Sequence, residues 1–418
     1  MANIRLRSEF SVKSLKSLKS LKGLSMRLVR RAYDDTAAMT TKIFIVLTCA
    51  LLLMACDGKK ATESEKNHDQ PILAGIKYAT GFRVHAVGNS RLVEVIYPFQ
   101  GASSGYYYLL VPRGEKPPAS AVEAQVIYTP VESIVCTSTT HIPLLDYLGE
   151  TDKLVGFPTT DYISSDKMRR RIERGRVVEL GIDKGLNLER LAMLKPGLVM
   201  GYTMSGDYGQ FRKVEDLGIP VVINGEYLEQ HPLGRAEWIK FMALFFNREK
   251  EADSVFSAIE KNYLEARAAL AGQSTRPTVL SGIVYGDAWF LPAGQNYAAK
   301  LFRDAGCKYL WEDTKGNGFL ELSFESVYEK AHNADLWIGT GTYESLAEIG
   351  AADARYSRFE AFKKRLIYNY DARKGAKGGN EFLELGYLRP DLILMDLIKI
   401  AHPSLLPDHN LFFHRKLQ

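Results

Sequence analysis

The chain has 418 residues, of which 46% are hydrophobic and 25% charged, so it is long enough for more than one core and too apolar to be disordered throughout. Its net charge of +5 arises near the N-terminus, because ten basic and three acidic residues lie within 1–55 and leave 44 basic against 46 acidic residues in the remainder. This near balance argues against an extended basic surface, and we expect no nucleic-acid partner.

A short apolar segment near the N-terminus has the pattern of a lipoprotein signal peptide. Within 39–55, Lys42 precedes the apolar run, and the sequence LMAC that ends at Cys56 forms a lipobox. About 12 apolar residues are too few to span a bilayer, which favours a cleaved signal over the alternative, a buried core helix. We therefore expect lipidation of Cys56 and a lipid-anchored protein on the periplasmic side of a bacterial membrane or cell envelope.

Polar or basic sequence flanks this signal on both sides. Residues 1–38 contain a repeated Ser-Leu-Lys pattern and are interpreted as an upstream extension, with an amphipathic membrane-binding segment as the alternative. Residues 56–71 are polar and are expected to form a tether. Beyond them the chain contains only Cys136 and Cys307, both in apolar surroundings, so no disulfide framework is predicted.

Residues 72–131 are predicted to form a β extension. Alternating apolar residues on both sides of a Gly-Asn-Ser turn indicate a hairpin, and YYYLLVP at 106–112 indicates a third strand. Between them, 101–105 matches the G-x-S-x-G pattern of a hydrolase nucleophile. That motif requires a strand before it and a helix after it, whereas strands flank it here, so we predict a loop between two strands.

From residue 132 the pattern changes to alternating strands and helices, which predicts a parallel α/β lobe over 132–232. Its first strand, SIVCTS, leads through a polar turn into a helix that should end at Gly149. Within GLNLERLAMLKPGLVM (185–200), Asn187 is a good helix N-cap, and Glu189 lies in the first helical turn, where the helix dipole favours an acid. Helix capping alone would explain this acid if the pattern occurred once.

A helical region is predicted over 233–272. Apolar residues at helical spacing indicate two helices, the second capped by Asn247 and running through Ala268, about 30 Å long at about 1.5 Å per residue. A helix of this length can cross between two lobes. Strand and helix alternation resumes over 273–418, which predicts a second α/β lobe, although RPDLILMDLIKIAHP fits a strand and a buried helix equally well.

The second lobe repeats the arrangement found around Glu189. Within LSFESVYEKAHNADLWIGT (322–340), Ser323 is the expected cap, Glu325 lies in the first helical turn, and an apolar strand ends at Gly339. The two acids are 136 residues apart. Their spacing suggests two similar α/β units, each with one acid at an equivalent position.

Two α/β lobes joined by one long helix, behind a lipoprotein signal, resemble the substrate-binding proteins of bacterial ABC importers, in the helical-backbone class that binds cobalamin, iron-siderophores and haem. The resemblance covers about 132–400. It is most specific in the G-x-N-L-E-R-x-x-x-L-K-P-x-L-V stretch around Glu189, in the spacing to the S-x-E-x-V segment around Glu325, and in the turn from Asp216 to Val222. It implies an α/β fold with two parallel-sheet lobes and a ligand cleft between them.

The resemblance also implies a partner. In that family one acid per lobe forms a salt bridge with an arginine of the membrane permease, and the motif match assigns this role to Glu189 and Glu325. The expected partner is an ABC permease dimer with its ATPase subunits, and the binding protein is expected to be a monomer. Such charge pairs steer encounter and orientation more than they add affinity. Two helix-capping acids without a further role are the alternative.

The ligand is expected in the crevice at the carboxyl ends of the strands of both lobes. A single aromatic residue is more often core than ligand contact, but these candidates follow strand ends, where functional loops collect. The candidate lining residues are Ser138, Thr139, Thr140, Tyr202 and Met204 in the first lobe and Tyr285, Trp289, Phe290, Thr342 and Tyr343 in the second.

An iron chelate of the siderophore type is the preferred ligand, because the β extension and the long C-terminal stretch from Gly375 resemble those of lipoproteins that carry iron complexes. Haem and cobalamin stay open, since aromatic walls suit either ligand and Tyr202 or Tyr343 could ligate haem iron. Direct zinc or manganese binding is disfavoured, because His141 is the only histidine at a strand end. We expect no resident cofactor and no metal held by the protein alone.

Two other classes of function stay open. A secreted hydrolase or a chelate-modifying enzyme would need a catalytic motif, and the sequence contains no P-loop, catalytic carboxylate pair or Ser-His-Asp order. A surface capture or adaptor lipoprotein would use the β extension as its interaction module. Because no catalytic motif stands out, we predict that the chain is not an enzyme. The classes can be separated, since a transport binding protein is stabilised by its ligand without turnover, an enzyme converts the compound and an adaptor binds a protein partner.

Overall fold

The computed structural model describes residues 75–418 apart from 121, 183, 184 and 205, all within the structural unit Asn67–Gln418. The expected signal peptide, tether and upstream extension, together with the lipidation site Cys56, lie outside the described residues. In the part of the chain that is described, no helix is both long and apolar enough to cross a membrane.

The residues before the first lobe form a four-stranded sheet. In sheet order its strands are β1 (Phe82–Val87), β2 (Ser90–Val95), β3 (Tyr106–Pro112) and β4 (Gln125–Thr129). The first three strands pair antiparallel and β4 pairs parallel with β3, so the G-x-S-x-G segment is a loop between two strands, as predicted. The backbone N–H of Ile223 donates to the Tyr108 hydroxyl at 2.9 Å, which ties this sheet to the first lobe.

The first lobe contains a parallel sheet, as predicted. Its strands are β5 (Ile134–Cys136), β6 (Leu154–Phe157), β7 (Val178–Glu179), the short antiparallel pair β8 (Gly181–Ile182) and β9 (Gly185–Leu186), β10 (Leu198–Gly201) and β11 (Val221–Ile223). Its helices are α1 (His141–Leu148), α2 (Asp166–Glu173), α3 (Leu188–Leu194) and α4 (Gly209–Glu215). The sheet order is β11-β10-β5-β6-β7. Gly149 ends α1 in a left-handed conformation, φ 76°, as the C-cap pattern predicted.

Two helices connect the lobes, and the longer one has the predicted length. They are α5 (Pro232–Leu244) and α6 (Glu249–Ala268). Nearly every side chain of α5 is buried, including those of Glu237 and Lys240, which form an ion pair at 3.0 Å. The prediction that Asn247 caps α6 is wrong: Asn247 has φ 55°, and α6 begins after Arg248 without a side-chain cap. Asparagine tolerates this left-handed conformation, so it terminates the preceding turn instead.

The second lobe contains a five-stranded sheet and a smaller antiparallel sheet. Its strands are β12 (Thr278–Ser281), β13 (Ile283–Tyr285), β14 (Ala288–Pro292), β15 (Lys308–Tyr309), β16 (Phe319–Leu322), β17 (Leu336–Ile338), β18 (Ile367–Asn369) and β19 (Arg415–Lys416). Its helices are α7 (Tyr297–Asp304), α8 (Phe324–Ala331), α9 (Leu346–Ala352), α10 (Glu360–Lys363), α11 (Glu381–Leu385) and α12 (Pro390–Ala401). The ambiguous apolar segment is therefore the helix α12, which packs against α6.

The two sheets are arranged alike around their first strands, β5 and β12, although their full strand orders differ. The second is β15-β12-β17-β18-β19, parallel except for β19. In the first lobe, β5 lies between β6 and β10, and β10 follows the helix that carries Glu189. In the second lobe, β12 lies between β15 and β17, and β17 follows the helix that carries Glu325. The helices α3 and α8 therefore occupy equivalent places, which agrees with the two similar α/β units predicted from the sequence.

Candidate ligand-binding site

A contact between the lobes lies beyond the ends of β6 and β18. The Glu384 carboxylate, in α11, accepts hydrogen bonds from the backbone N–H groups of Ser164 and Ser165, at 2.5 and 2.9 Å. Gly379 packs so closely against the first lobe that a Cβ there would lie 2.2 Å from the Tyr162 carbonyl oxygen. The long C-terminal stretch from Gly375 thus joins the two lobes at this end.

Arg235 forms a second link, beyond the end of β11. Its guanidinium donates to the backbone carbonyls of Tyr227 and Glu229 in the first lobe, at 2.8 and 2.9 Å. The same group lies 3.9 Å from the ring centre of Tyr297 and 4.3 Å from that of Tyr387, both in the second lobe. In sheet order, the ends of β10 and β5 lie between this link and the one at Glu384, which is where the sequence predicts the ligand.

A buried polar cluster closes the end of β5. The Thr140 hydroxyl donates to Glu226 at 2.5 Å. Burial raises the pKa of Glu226 to about 7, although the bond from Thr140 opposes the rise. Burial lowers the pKa of His141 to about 3, against a weak contact with the Met200 carbonyl. Between about pH 3 and pH 7 both side chains are therefore mostly uncharged. His141 Nε2 lies 3.8 Å from Glu226 Oε2.

The predicted ligand residues of the first lobe occupy the loops after β5 and β10. Ser138, Thr139 and Thr140 are partly buried, and the Ser138 and Thr140 hydroxyls are 2.8 Å apart. Tyr202 is partly buried, and Met204 is 64% exposed. A large apolar side chain in an exposed loop at a strand end is available for contact with a ligand.

The predicted residues of the second lobe are less uniform. Tyr285 is 80% exposed, but it ends β13 in an antiparallel hairpin rather than a strand of the parallel sheet. Trp289 departs from the prediction, because its ring is completely buried among aromatic residues and its indole N–H donates to the Ser281 carbonyl. Phe290 is partly buried. Thr342 is exposed after β17, and its neighbour Tyr343 packs against the core.

Two cavities lie at the ends of this interlobe region, and none of the ten predicted residues lines either of them. One, of about 470 Å³, is lined by Pro143, Asp146, Tyr147, Ser165, Asp166, Lys167, Glu381, Glu384 and Leu385. The other, of about 630 Å³, we call the extension cavity; it is lined by Tyr78, Thr80, Tyr97, Phe99, Gln100, Gly101, Ala102, Leu228, Glu229, Gln230, His231 and Asn317. The extension cavity was not predicted from the sequence; Tyr97 and Phe99, two aromatic residues shortly after β2, are the signal that could have indicated it.

The two acids assigned to permease docking begin equivalent helices. Asn187 caps α3 by accepting from Arg190 N–H at 2.9 Å, and Ser323 caps α8 by accepting from Ser326 N–H at 3.2 Å. Glu189 is exposed and forms no ion pair with the described residues. Glu325 is also exposed but pairs with Arg355 Nη1 at 3.0 Å. Local sequence did not reveal this pairing, because the two residues are 30 positions apart.

Two curated relatives of the chain are named as uncharacterized lipoproteins. One uncharacterized lipoprotein of Methanocaldococcus jannaschii is 25% identical over 330 residues, which is 75% of this chain and 77% of the relative. A second from the same organism is 27% identical over 389 residues, 85% of this chain and 91% of the relative. The likeness therefore extends beyond the two lobes.

Solved structures with the same fold are solute-binding proteins. A possible iron-binding periplasmic protein of Staphylococcus epidermidis aligns over 66% of this chain and all of its own, with 19% identity and a TM-score of 0.52. Helicobacter pylori CeuE with Ni(II) bound aligns over 71% and 92%, with 17% identity and a TM-score of 0.52. The haem-binding protein RhuT of Roseiflexus sp. RS-1 aligns over 66% and 99%, with 19% identity and a TM-score of 0.51. At these identities the likeness establishes the fold alone.

A match to a protein-family model assigns the chain to a family, which the pairwise similarities do not. The model described as periplasmic binding protein matches residues 134–374, which run from the first strand of the first lobe, β5, to just beyond β18 in the second. The matched region contains both acid-bearing helices and the loops at the strand ends between the lobes. The chain belongs to the periplasmic binding protein family.

Proposed function

We propose that the protein is the substrate-binding lipoprotein of an ABC importer, and that it captures an iron chelate of the siderophore type between its lobes and delivers it to a membrane permease. The observation that carries the choice of an organic chelate is the exposure of one large apolar side chain in each lobe: Met204, in the loop after β10, is 64% exposed, and Tyr285, at the end of β13, is 80% exposed. Exposed apolar side chains beside a crevice suit a ligand with organic surface.

The similar solved structures are consistent with this ligand class. Their names mention possible iron binding, haem binding and a bound Ni(II) ion. Haem and cobalamin are therefore the competing ligands. The polar groups of the loop after β5 do not distinguish between these chelates, because the hydroxyls of Ser138 and Thr140 can both donate and accept hydrogen bonds.

Delivery to the permease rests on the two acids. Glu189 and Glu325 begin equivalent helices on separate lobes, so two carboxylates would define both the position and the orientation of the binding protein on its partner. We propose that they pair with basic residues of a permease dimer. The lipobox at Cys56 and the lipoprotein relatives support an extracytoplasmic protein held by a lipid anchor.

The ligand class is tested by native mass spectrometry and ultraviolet-visible absorption of the purified protein with ferric siderophores, haem and cobalamin. We expect a one-to-one complex with a ferric siderophore, stabilisation against heat, and recovery of the chelate unchanged. Preferential binding of haem or cobalamin would contradict the proposed iron chelate and identify the competing compound as the ligand. Chemical conversion of the compound would overturn the transport function.

A matched pair of variants locates the binding surface. Met204→Asp with Tyr285→Asp should weaken binding of the chelate by about tenfold or more, because a charge would replace each apolar contact. The control is Met193→Asp with Tyr128→Asp, which changes two exposed residues of the same types elsewhere, 85% and 44% exposed. Equal affinity of the two variants would remove Met204 and Tyr285 from the site.

A further inference from the structure

The extension cavity lies between the β extension and the region of the binding protein fold. Seven of its twelve lining residues come from the segment 97–102, which follows β2, and from two positions before β1. These residues precede the region 134–374 that matches the family model. The opposite wall comes from 228–231, after β11, and from Asn317 of the second lobe. The β extension thus contributes to a cavity at the strand ends, where ligands bind in open α/β sheets.

Two close contacts connect this cavity to the loop that carries Tyr202 and Met204. The Tyr227 hydroxyl donates to the Thr203 carbonyl at 2.8 Å, and the backbone of Gln100 hydrogen-bonds the same side chain. A Cβ at Gly206 would lie 3.3 Å from the Phe99 ring. The loop after β10 therefore lies directly against the segment 97–102, and the extension cavity adjoins the proposed ligand cleft.

The side chains around the cavity are aromatic rings and amides, with a carboxylate as the charged group. Glu229 accepts hydrogen bonds from the backbone N–H groups of Thr80 and Gly81, both at 2.7 Å, and from the Trp238 indole N–H at 3.1 Å. These bonds fix the position of the side chain. Burial lowers the pKa of His231 to about 4, so its ring is uncharged at pH 7.

This lining suits uncharged ligands better than anionic ones. The described residues that line the cavity include no lysine or arginine, so an anionic ligand would find no lining cation to pair with. Amide side chains such as Gln100, Gln230 and Asn317 offer both donors and acceptors to other amides. Rings such as those of Tyr97 and Phe99 pack against uncharged organic surface. We propose that the extension cavity is a subsite for the uncharged, amide-rich periphery of the captured chelate, so that a ferric hydroxamate binds in preference to multiply anionic ferric catecholates and haem. This inference rests on the proposed function.

Hydrogen exchange with four probes tests the subsite. Ferrioxamine B and cyanocobalamin supply amide-rich peripheries, whereas ferric enterobactin and haemin supply anionic ones. We expect ferrioxamine B to bind most tightly and to slow exchange in 97–102 and 228–231 as well as in 202–206. Protection of 202–206 without 97–102 would overturn the subsite and leave the proposed function in place. Tighter binding of an anionic probe would also overturn it, and binding of none of the four would overturn both.

A charge exchange in the cavity tests the preference directly. Gln230→Lys with Asn317→Lys places two cations at exposed lining positions. The ratio of the affinity for ferrioxamine B to that for ferric enterobactin should fall about tenfold or more. The matched control, Gln273→Lys with Asn333→Lys, adds the same charges at exposed amides outside the cavity and should leave the ratio unchanged. An equal shift in both variants would mean that overall charge, rather than the cavity, sets the preference.

Discussion

Glu226 and His141 are buried ionisable residues at the centre of the interlobe region. Their effects on the pH dependence of folding stability have opposite signs. Burial raises the pKa of Glu226 from an ordinary 4.5 to about 7 and lowers that of His141 from 6.5 to about 3. The folded protein therefore retains a proton on the carboxyl group that the unfolded chain loses, and it lacks a proton on the imidazole that the unfolded chain binds.

Replacing the carboxyl group with an amide should remove one of these effects. As pH rises from 4.5 to 7, the unfolded chain ionises Glu226 while the folded protein does not, so the wild type loses stability, by at most on the order of 3 kcal/mol. Glu226→Gln cannot ionise. Its free energy of unfolding, measured in urea, should therefore rise relative to the wild type across this range.

The histidine does not obscure this comparison. His141 makes both proteins more stable as pH rises from 3 to 6.5, and this shared contribution cancels in the difference between them. Glu132→Gln, at a side chain that is 74% exposed, is the control and should follow the wild type at every pH. Parallel profiles for Glu226→Gln and the wild type would contradict the buried, protonated carboxyl group.

At the scale of secondary-structure elements, α11 and the residues before it hold the second lobe against the first. Gly379 packs against the Tyr162 carbonyl, and Glu384 binds two backbone N–H groups at 164 and 165. Burial raises the pKa of Glu384 to about 7 as well. This contact lies at one end of the interlobe region, so its strength limits how far the lobes separate there.

A single methyl group should weaken this contact. Gly379→Ala would bring a Cβ within 2.2 Å of the Tyr162 carbonyl oxygen, and overpacking of this kind costs about 1–3 kcal/mol. We expect faster hydrogen exchange in 160–167 and a lower midpoint of thermal unfolding. Gly318→Ala, at a position with no atom within 4 Å of a new Cβ, is the control. Unchanged hydrogen exchange in 160–167 would show that the backbone at this contact adjusts to the added methyl group without loss of stability.

Local patterns in the sequence predicted the elements of this fold better than the contacts between them. Gly149 ends α1 and Ser323 caps α8, because both positions depend on backbone conformation within one turn. Asn247 was misassigned, since asparagine suits both an N-cap and a left-handed turn. Glu384 meets Ser164 across 220 positions, and no local pattern reports a contact over that distance.

In the candidate site, too, the positions of loops could be predicted from the sequence, whereas long-range contacts could not. The loops that carry Ser138 and Met204 followed from the rule that ligands bind at strand ends, which depends only on the order of elements. Trp289 also lies near a strand end, but its burial depends on rings that the rest of the second lobe supplies. The segment 97–102 connects β2 and β3 of the β extension, outside the sheets of the two lobes. Only the folded chain therefore brings it to the cavity.

At the scale of the whole molecule, the two proposed docking acids are chemically unequal. Glu189 is exposed and without an ion pair among the described residues, whereas Glu325 pairs with Arg355. Arg355 also forms a bidentate pair with Asp353 and lies 4.0 Å from the Phe324 ring centre. An exposed ion pair contributes about 0–1 kcal/mol, so a permease arginine can displace Arg355 at little cost.

Reversing both acids should therefore abolish productive docking while leaving ligand binding intact. In proteoliposomes that contain the permease and its ATPase subunits, Glu189→Arg with Glu325→Arg should no longer stimulate ATP hydrolysis, because like charges would meet at both docking points. The dissociation constant for the chelate should stay within about twofold, since neither acid belongs to the proposed ligand site. Glu173→Arg with Glu265→Arg makes the same change in net charge at exposed positions and should retain stimulation, which separates specific pairing from long-range repulsion. Stimulation by the double reversal at the wild-type level would leave the two acids as helix caps alone.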